Sequence, residues 1–296
     1  MRTALVLLCL LLSVVGGCAP DRTVVAFGSC SNIDKYPSQP IFARMQEEKV
    51  RAVFLIGDTP YIDTTDLAKQ RERYAKFFAV PELAALGRTA PVYATWDDHD
   101  FGKNDVDGRL PNKSNSRIAF VESHPDNPSF GDGKEGIYTK VSVGPVDVFL
   151  IDARWFSRTA PSFADPNKPT LLGEGQWGWL TRELKASKAT FKILTTGMIW
   201  NDSVRPMKTD FWGAYAHERA ALMKFIAVER ITGVVLMGGD IHRSRALLHP
   251  TGFWGNPYPM LELISSPLAN DVHANSDVPH PNLLAQAGLP QLIRVR

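Results

Sequence analysis

Apolar residues in this chain come in short runs, each stopped by glycine or by a side chain of the kind that binds metals or phosphate. Val53-Phe-Leu-Ile56 stops at Gly57-Asp58, with Pro60 and Tyr61 following on a turn. Such a run, bounded by glycine, reads as a buried strand, and open α/β sheets bind ligands beyond the carboxyl ends of their strands. Four further strand-like runs end in the same manner. Val24 to Cys30 ends on a thiol, and Pro91 to Asp100 ends on three carboxylates and an imidazole. Val146 to Arg154 ends on Asp152 and Arg154, and Ile231 to His242 ends on Asp240 and His242. One Gly-Asp pair alone reads equally as a turn or a helix cap. Repetition at five strand ends predicts that the ends converge, and oxygen donors, imidazole and one thiol meeting there describe a multi-metal centre better than a nucleophilic triad.

Between the strands the spacing becomes helical. Gln39 to Lys49 places Ile41, Phe42 and Met45 on one face, and Thr64 to Val80, capped by Thr65 or Asp66, carries Leu67, Tyr74, Phe77 and Phe78. Gln176 to Ala186 and Ala216 to Glu229 repeat the pattern, with Trp177, Leu180 and Leu184 in one and Leu222, Phe225 and Ile226 in the other. A hairpin over Ile137 to Ile151 turns at Gly144-Pro145. This alternation predicts layered α/β with a mixed sheet or two sheets. Phe101 to Pro128 and Ser157 to Gly173 lack periodicity; each follows a ligand-bearing strand end and reads as wall or lid of the site, or as plain surface loop. Gln291 to Arg296 reads as a terminal edge strand.

The start of the chain changes the picture in one respect. Arg2, the apolar stretch from Ala4 to Val15 and the small residues Gly16-Gly17-Cys18 make an export signal, too short to span a bilayer. Val15-Gly-Gly-Cys18 also resembles a bacterial lipobox, in which Cys18 would carry lipid; Ala19 after it points to an outer-membrane destination, and plain secretion is the alternative. Residues 1–18 are thus read as signal and 19–296 as one domain. With Cys9 removed and Cys18 acylated, Cys30 has no partner for an intrachain disulfide. It is either a small buried residue closing a strand or a metal thiolate. A net charge of +2 without any basic run leaves no nucleic-acid footprint.

Phe27-Gly-Ser-Cys30, Gly57-Asp58 with Tyr61, Thr95-Trp-Asp-Asp-His-Asp100 with Asn104-Asp105, Asp152-Ala-Arg154, Leu172-Gly-Glu-Gly-Gln176 with Trp179-Leu180, and Gly239-Asp-Ile-His242 follow in that order. Together they resemble the alkaline phosphatase D (PhoD-like) branch of the metallophosphatases. The resemblance implies a four-layer α/β/β/α sandwich with mixed sheets, hydrolysis of small-molecule or lipid phosphate esters, and Fe3+ with Ca2+, or other divalent ions such as Zn2+, as cofactors. It implies that Cys30, Asp58 and Tyr61 hold the ferric ion, that Asp58 bridges to a second position, and that Asp98, Asp240 and His242 complete that position. Thiolate and phenolate suit Fe(III), whereas calcium would reject sulfur. Asp97 competes with Asp98 as ligand, because consecutive strand residues point to opposite faces. Arg154 is expected to clamp a phosphate oxygen with its planar fork, and Asn104 to position substrate or a ligand. His99 is either the general acid for the leaving group or an orienting group. His124, His217, His249, His273 and His280 carry no motif and read as surface residues. A phospholipase or phosphodiesterase of the same fold and a non-catalytic metal- or phosphate-binding lipoprotein remain alternatives.

Overall fold

The computed structural model describes residues 23–273 and 278–287. The export signal, Cys18 and the terminal strand expected at 291–296 lie outside the described residues. Two sheets organise the rest. The smaller is parallel, β1 (Val25–Gly28), β2 (Ala52–Ile56) and β3 (Val92–Thr95) in that order. The larger has the order β10-β8-β9-β7-β6-β5-β4, made of β4 (Thr139–Val143), β5 (Val146–Leu150), β6 (Phe191–Thr195), β7 (Val234–Gly238), β8 (Ser244–His249), β9 (Met260–Ile264) and β10 (Leu283–Ala287). Its central pairs β5-β6, β6-β7 and β7-β9 are parallel, and the pairs towards its edges are antiparallel.

The run Ala52-Val-Phe-Leu-Ile56 is apolar at every position because both faces of its sheet are covered. Phe54 and Ile56 point to the inter-sheet layer, where they meet Val148, Leu150, Ile193 and Met237 of the larger sheet. Val53 and Leu55 point the other way, towards Phe42 and Met45 of α1 (Pro40–Glu47), Tyr74 and Phe77 of α2 (Leu67–Phe78) and Leu83 and Leu86 of α3 (Pro81–Gly87). The outer face of the larger sheet, with Phe149, Leu194 and Leu236, is covered by α6 (Gly173–Ala186) and α7 (Ala216–Val228). The layers therefore run α/β/β/α, as expected. Phe27, Phe54 and Tyr93 lie in register across the small sheet and stack at 4.9 and 5.4 Å between ring centroids, each contact adding about 0.5–1.5 kcal/mol beyond burial.

Asp66 caps α2 by accepting from the Lys69 amide at 2.9 Å, so of the two expected caps it is Asp66 that acts. The segment 101–128 is not a plain loop. It holds the end of α4 (Asp98–Phe101) and the helix α5 (Lys113–Ser123), whose buried face is Ser116, Ala119 and Phe120. Ser116 hides the periodicity: its hydroxyl donates to the Phe101 carbonyl and accepts from Gln70. Among the described residues, no helix is long and apolar enough to cross a membrane.

Candidate metal centre

Strand ends set the geometry. Cys30, Asp58, Asp240 and His242 follow β1, β2 and β7, and all four have left-handed backbones, with φ of 59°, 53°, 65° and 52°. That conformation costs a non-glycine residue roughly 1–2 kcal/mol, and strain of this kind persists where a site requires it. Gly57 prepares the turn: at its φ of 98° a side chain is disfavoured, and a Cβ there would lie 2.5 Å from Asp97 Cβ. The loops after β2 and β3 can approach because that atom is missing.

These ends surround a cavity of about 430 Å³ lined by Asp58, Tyr61, His99, Asn104, Asp240 and His242, together with Lys208 and His273. Cys30 is fully buried beneath it, with Sγ 3.5 Å from Asp58 Oδ2 and 3.6 Å from the Asp240 carbonyl. Asp58, Asp98 and His99 bring one ligand atom each within 4.8 Å of one another. Asp98 forms a second such group with Asp105 and Asp210.

The choice between Asp97 and Asp98 does not follow strand alternation, because β3 ends at Thr95 and Asp98 already opens α4. Asp98 turns to Asp58 and His99, whereas Asp97 accepts from Arg154 Nε at 2.6 Å. Arg154 is not placed as the sequence suggested. Its guanidinium is buried, also donates to the Val106 carbonyl and to Asp210, and borders a separate cavity of about 240 Å³ rather than the larger one. Asp152 likewise turns inward, accepting from the Trp96 indole and from the amides of Ile137, Arg154 and Trp155.

Protonation follows from crowding. Burial, then the neighbouring Cys30 and Asp98, pushes Asp58 well above the usual carboxylate range. Burial likewise raises Asp97, takes Asp240 to about 6 and takes the Cys30 thiol to about 12. Asp98 is the exception: burial opposes ionisation, but Arg154, His99 and Lys208 hold it below the ordinary value. Asp58 Oδ1 is buried without a hydrogen-bond partner, which is costly unless something else satisfies it. A cation would do so and would let the thiol and acids ionise. The donor set of sulfur, phenol, carboxylates and imidazole therefore fits bound metal.

Two histidines complete the site. His242 Nδ1 lies 2.5 Å from the Asp271 carbonyl, which can only accept. The proton is thus on Nδ1, and Nε2 presents its lone pair to the Tyr61 hydroxyl at 2.8 Å, the orientation a metal ligand needs. His99 Nδ1 meets Asp63 Oδ1 at 2.6 Å. Burial opposes its charge, but Asp58, Asp63 and Asp98 outweigh it and raise His99 to about 10.

Sequence reasoning missed Lys208, Asp210 and Asp63, which sit in stretches without periodicity or a motif. It also took two histidines for surface residues that are not: His124 and His249 are buried. His273 is exposed as expected, yet it stacks on His242 at 4.2 Å at the cavity. The segment 157–173 does not line this cavity; residues 159–162 and 170 border a different cleft with Asp132 and Tyr138.

Comparison with known proteins follows the same lines. The model of the PhoD-like phosphatase family matches residues 25–286. Alkaline phosphatase D of Bacillus subtilis (strain 168) is 27% identical over 285 residues, covering 78% of this chain and 47% of that protein. The chain thus spans about half the length of the curated relative it matches. A solved structure of PhoD superposes with a TM-score of 0.67 at 21% identity, over 85% of this chain and 58% of the other. Purple acid phosphatase from yellow lupin seeds gives 0.60 at 12% identity, over 90% and 48%. At these identities both solved structures speak for the fold alone.

Proposed function

The chain belongs to the PhoD-like phosphatase family, and from that premise we propose that it hydrolyses phosphate esters, with the aid of bound metal, in the cavity above Cys30 and Asp58. Cys30, Asp58 and Tyr61 would hold Fe3+, and Asp98, Asp240 and His242, with Asp58 between, would hold Ca2+ or another divalent ion such as Zn2+. Such ions supply an acidified water and positive charge against the phosphate oxygens. His99, charged and oriented by Asp63, gives its proton to the leaving oxygen. Asn104 donates to the ester from the rim. Lys35 and Arg205, which also line the cavity, attract the anion. Arg154 fixes the Asp97 carboxylate and does not touch substrate.

The observation that carries this reading is the set of four left-handed ligand-type residues converging on one cavity over a buried, unpartnered Asp58 oxygen. Elemental analysis of the purified chain, beside a panel of phosphate mono- and diesters and phospholipids, tests it. Stoichiometric metal and turnover, both lost in Asp58→Asn, are expected, and the panel distinguishes monoesterase from diesterase or phospholipase action. Metal uptake without turnover of any ester would leave a binding protein instead. The lipid anchor on Cys18 belongs to the same proposal and is read by mass spectrometry of the mature amino terminus.

A further inference from the structure

Lys208 lies in the irregular segment between β6 and the short turn Trp212–Tyr215. Its neighbour Met207 is 93% exposed, yet the Lys208 side chain is only 5% exposed and reaches inward. The ammonium lies 2.9 Å from Asp210 Oδ1, 3.0 Å from Asp240 Oδ2 and 3.4 Å from Asp105 Oδ1. Asp240 is one of the residues proposed above to hold the divalent ion, and Asp105 and Asp210 bring oxygens within 4.8 Å of another of them, Asp98, a spacing from which a hard divalent cation takes its ligands. An ammonium and a divalent ion therefore seek the same oxygens. They cannot share them, because two positive charges at contact distance in a buried setting repel strongly, and each needs the carboxylates to offset its loss of water. The lysine is tethered to a surface segment and also lines the cavity, so it has somewhere to go.

We propose that Lys208 is a built-in competitor for the second, divalent ion: its ammonium neutralises Asp105, Asp210 and Asp240, and it leaves them when that ion binds. This rests on the metal-dependent reading above. A free metal site binds on contact, whereas a site guarded by its own cation loads only where the divalent ion outcompetes it.

The test uses the full chain after chelator treatment, titrated calorimetrically with Ca2+ and, separately, Zn2+. Lys208→Met, which keeps the length and removes the charge, should bind the divalent ion at least about tenfold more tightly, a coupling of ordinary size for linked sites. Lys208→Arg should not. In wild-type protein, acetic anhydride should modify Lys208 slowly without the ion and at least about tenfold faster at saturation, read by mass spectrometry of the peptide; this arm decides even where Lys208→Met folds poorly. Unchanged or weaker binding by a folded Lys208→Met, or a Lys208 that stays protected at saturation, overturns the proposal while leaving the metal centre intact. Failure of every protein to bind either ion would overturn both.

Discussion

Two histidine–carboxylate pairs in this molecule have nearly the same contact distance and opposite settings. His99 meets Asp63 at 2.6 Å on the cavity wall, and His249 meets Glu262 at 2.7 Å inside the larger sheet. Glu262 is satisfied on every side: its second oxygen accepts from the amides of Trp200 and Asn201 and from the Asn201 side chain, while Asn282 donates to the other nitrogen of His249. Beside His99, by contrast, Asp58 keeps an oxygen without a partner, and the nearby backbone is held left-handed. Ligand-type chemistry is thus common to both, and it is an open cavity with incompletely satisfied groups, against full burial with every group paired, that separates a candidate reactive cluster from a structural one.

The comparison can be broken most severely at Asp58. Asp58→Asn should lower kcat/KM by on the order of 10⁴-fold and remove metal, since one ligand oxygen and one charge are lost, with a thermal midpoint within a few degrees of wild type. Retained metal and activity would return Asp58 to an ordinary turn residue. His99→Gln should cost roughly 10²–10³-fold in kcat with metal content unchanged, the size expected for a general acid; loss of metal instead would make His99 a ligand. The other pair should respond in the opposite currency. Glu262→Leu should destabilise by about 3 kcal/mol, because three donors and a histidine lose their acceptor, while activity per folded molecule stays at the wild-type level in denaturant-titrated samples.

A third histidine gives the smallest effect. His124 has no carboxylate and lies among Tyr74, Phe78 and Phe120; burial pushes its pKa down to about 4. The unfolded chain, with an ordinary histidine, takes up that proton more readily. Stability is therefore full above about pH 6.5 and falls as pH drops towards 4. At pH 5 this amounts to about 2 kcal/mol relative to neutral pH, and His124→Leu should flatten that part of a urea-midpoint profile against pH.

Much of the site was legible because apolar runs announce strands and the residue just past a strand end has a predictable place. Cys30, Asp58, Asp240 and His242 were found by that logic. It failed where the local pattern was not a strand's. Asp97 and Asp98 sit on a helical turn, so alternation says nothing about which faces the cavity. Arg154 follows β5 by four residues, but the neighbouring acids Asp97 and Asp210 capture it before it can reach a substrate. β9 escaped notice because Glu262 in Met260–Ile264 contradicts a buried strand until His249 is known to face it. Lys208 has no periodic neighbours at all, and its place depends wholly on tertiary contacts.

Asp100, which holds no metal role here, accepts from the amides of Asp58 at 2.6 Å, Thr59 at 2.7 Å and Asp97 at 2.9 Å. One side chain thereby bolts two chain segments to each other at the points where they enter the cavity. The amides of Ile62 and Asp63, which both donate to the His99 carbonyl at 3.1 Å, tie the same two segments a second time, so the spacing is fixed from Gly57 to Asp63 and from Trp96 to Asp100. Any lineage that varies the pocket's reach must therefore do so from its outer rim, leaving the floor as one inherited piece.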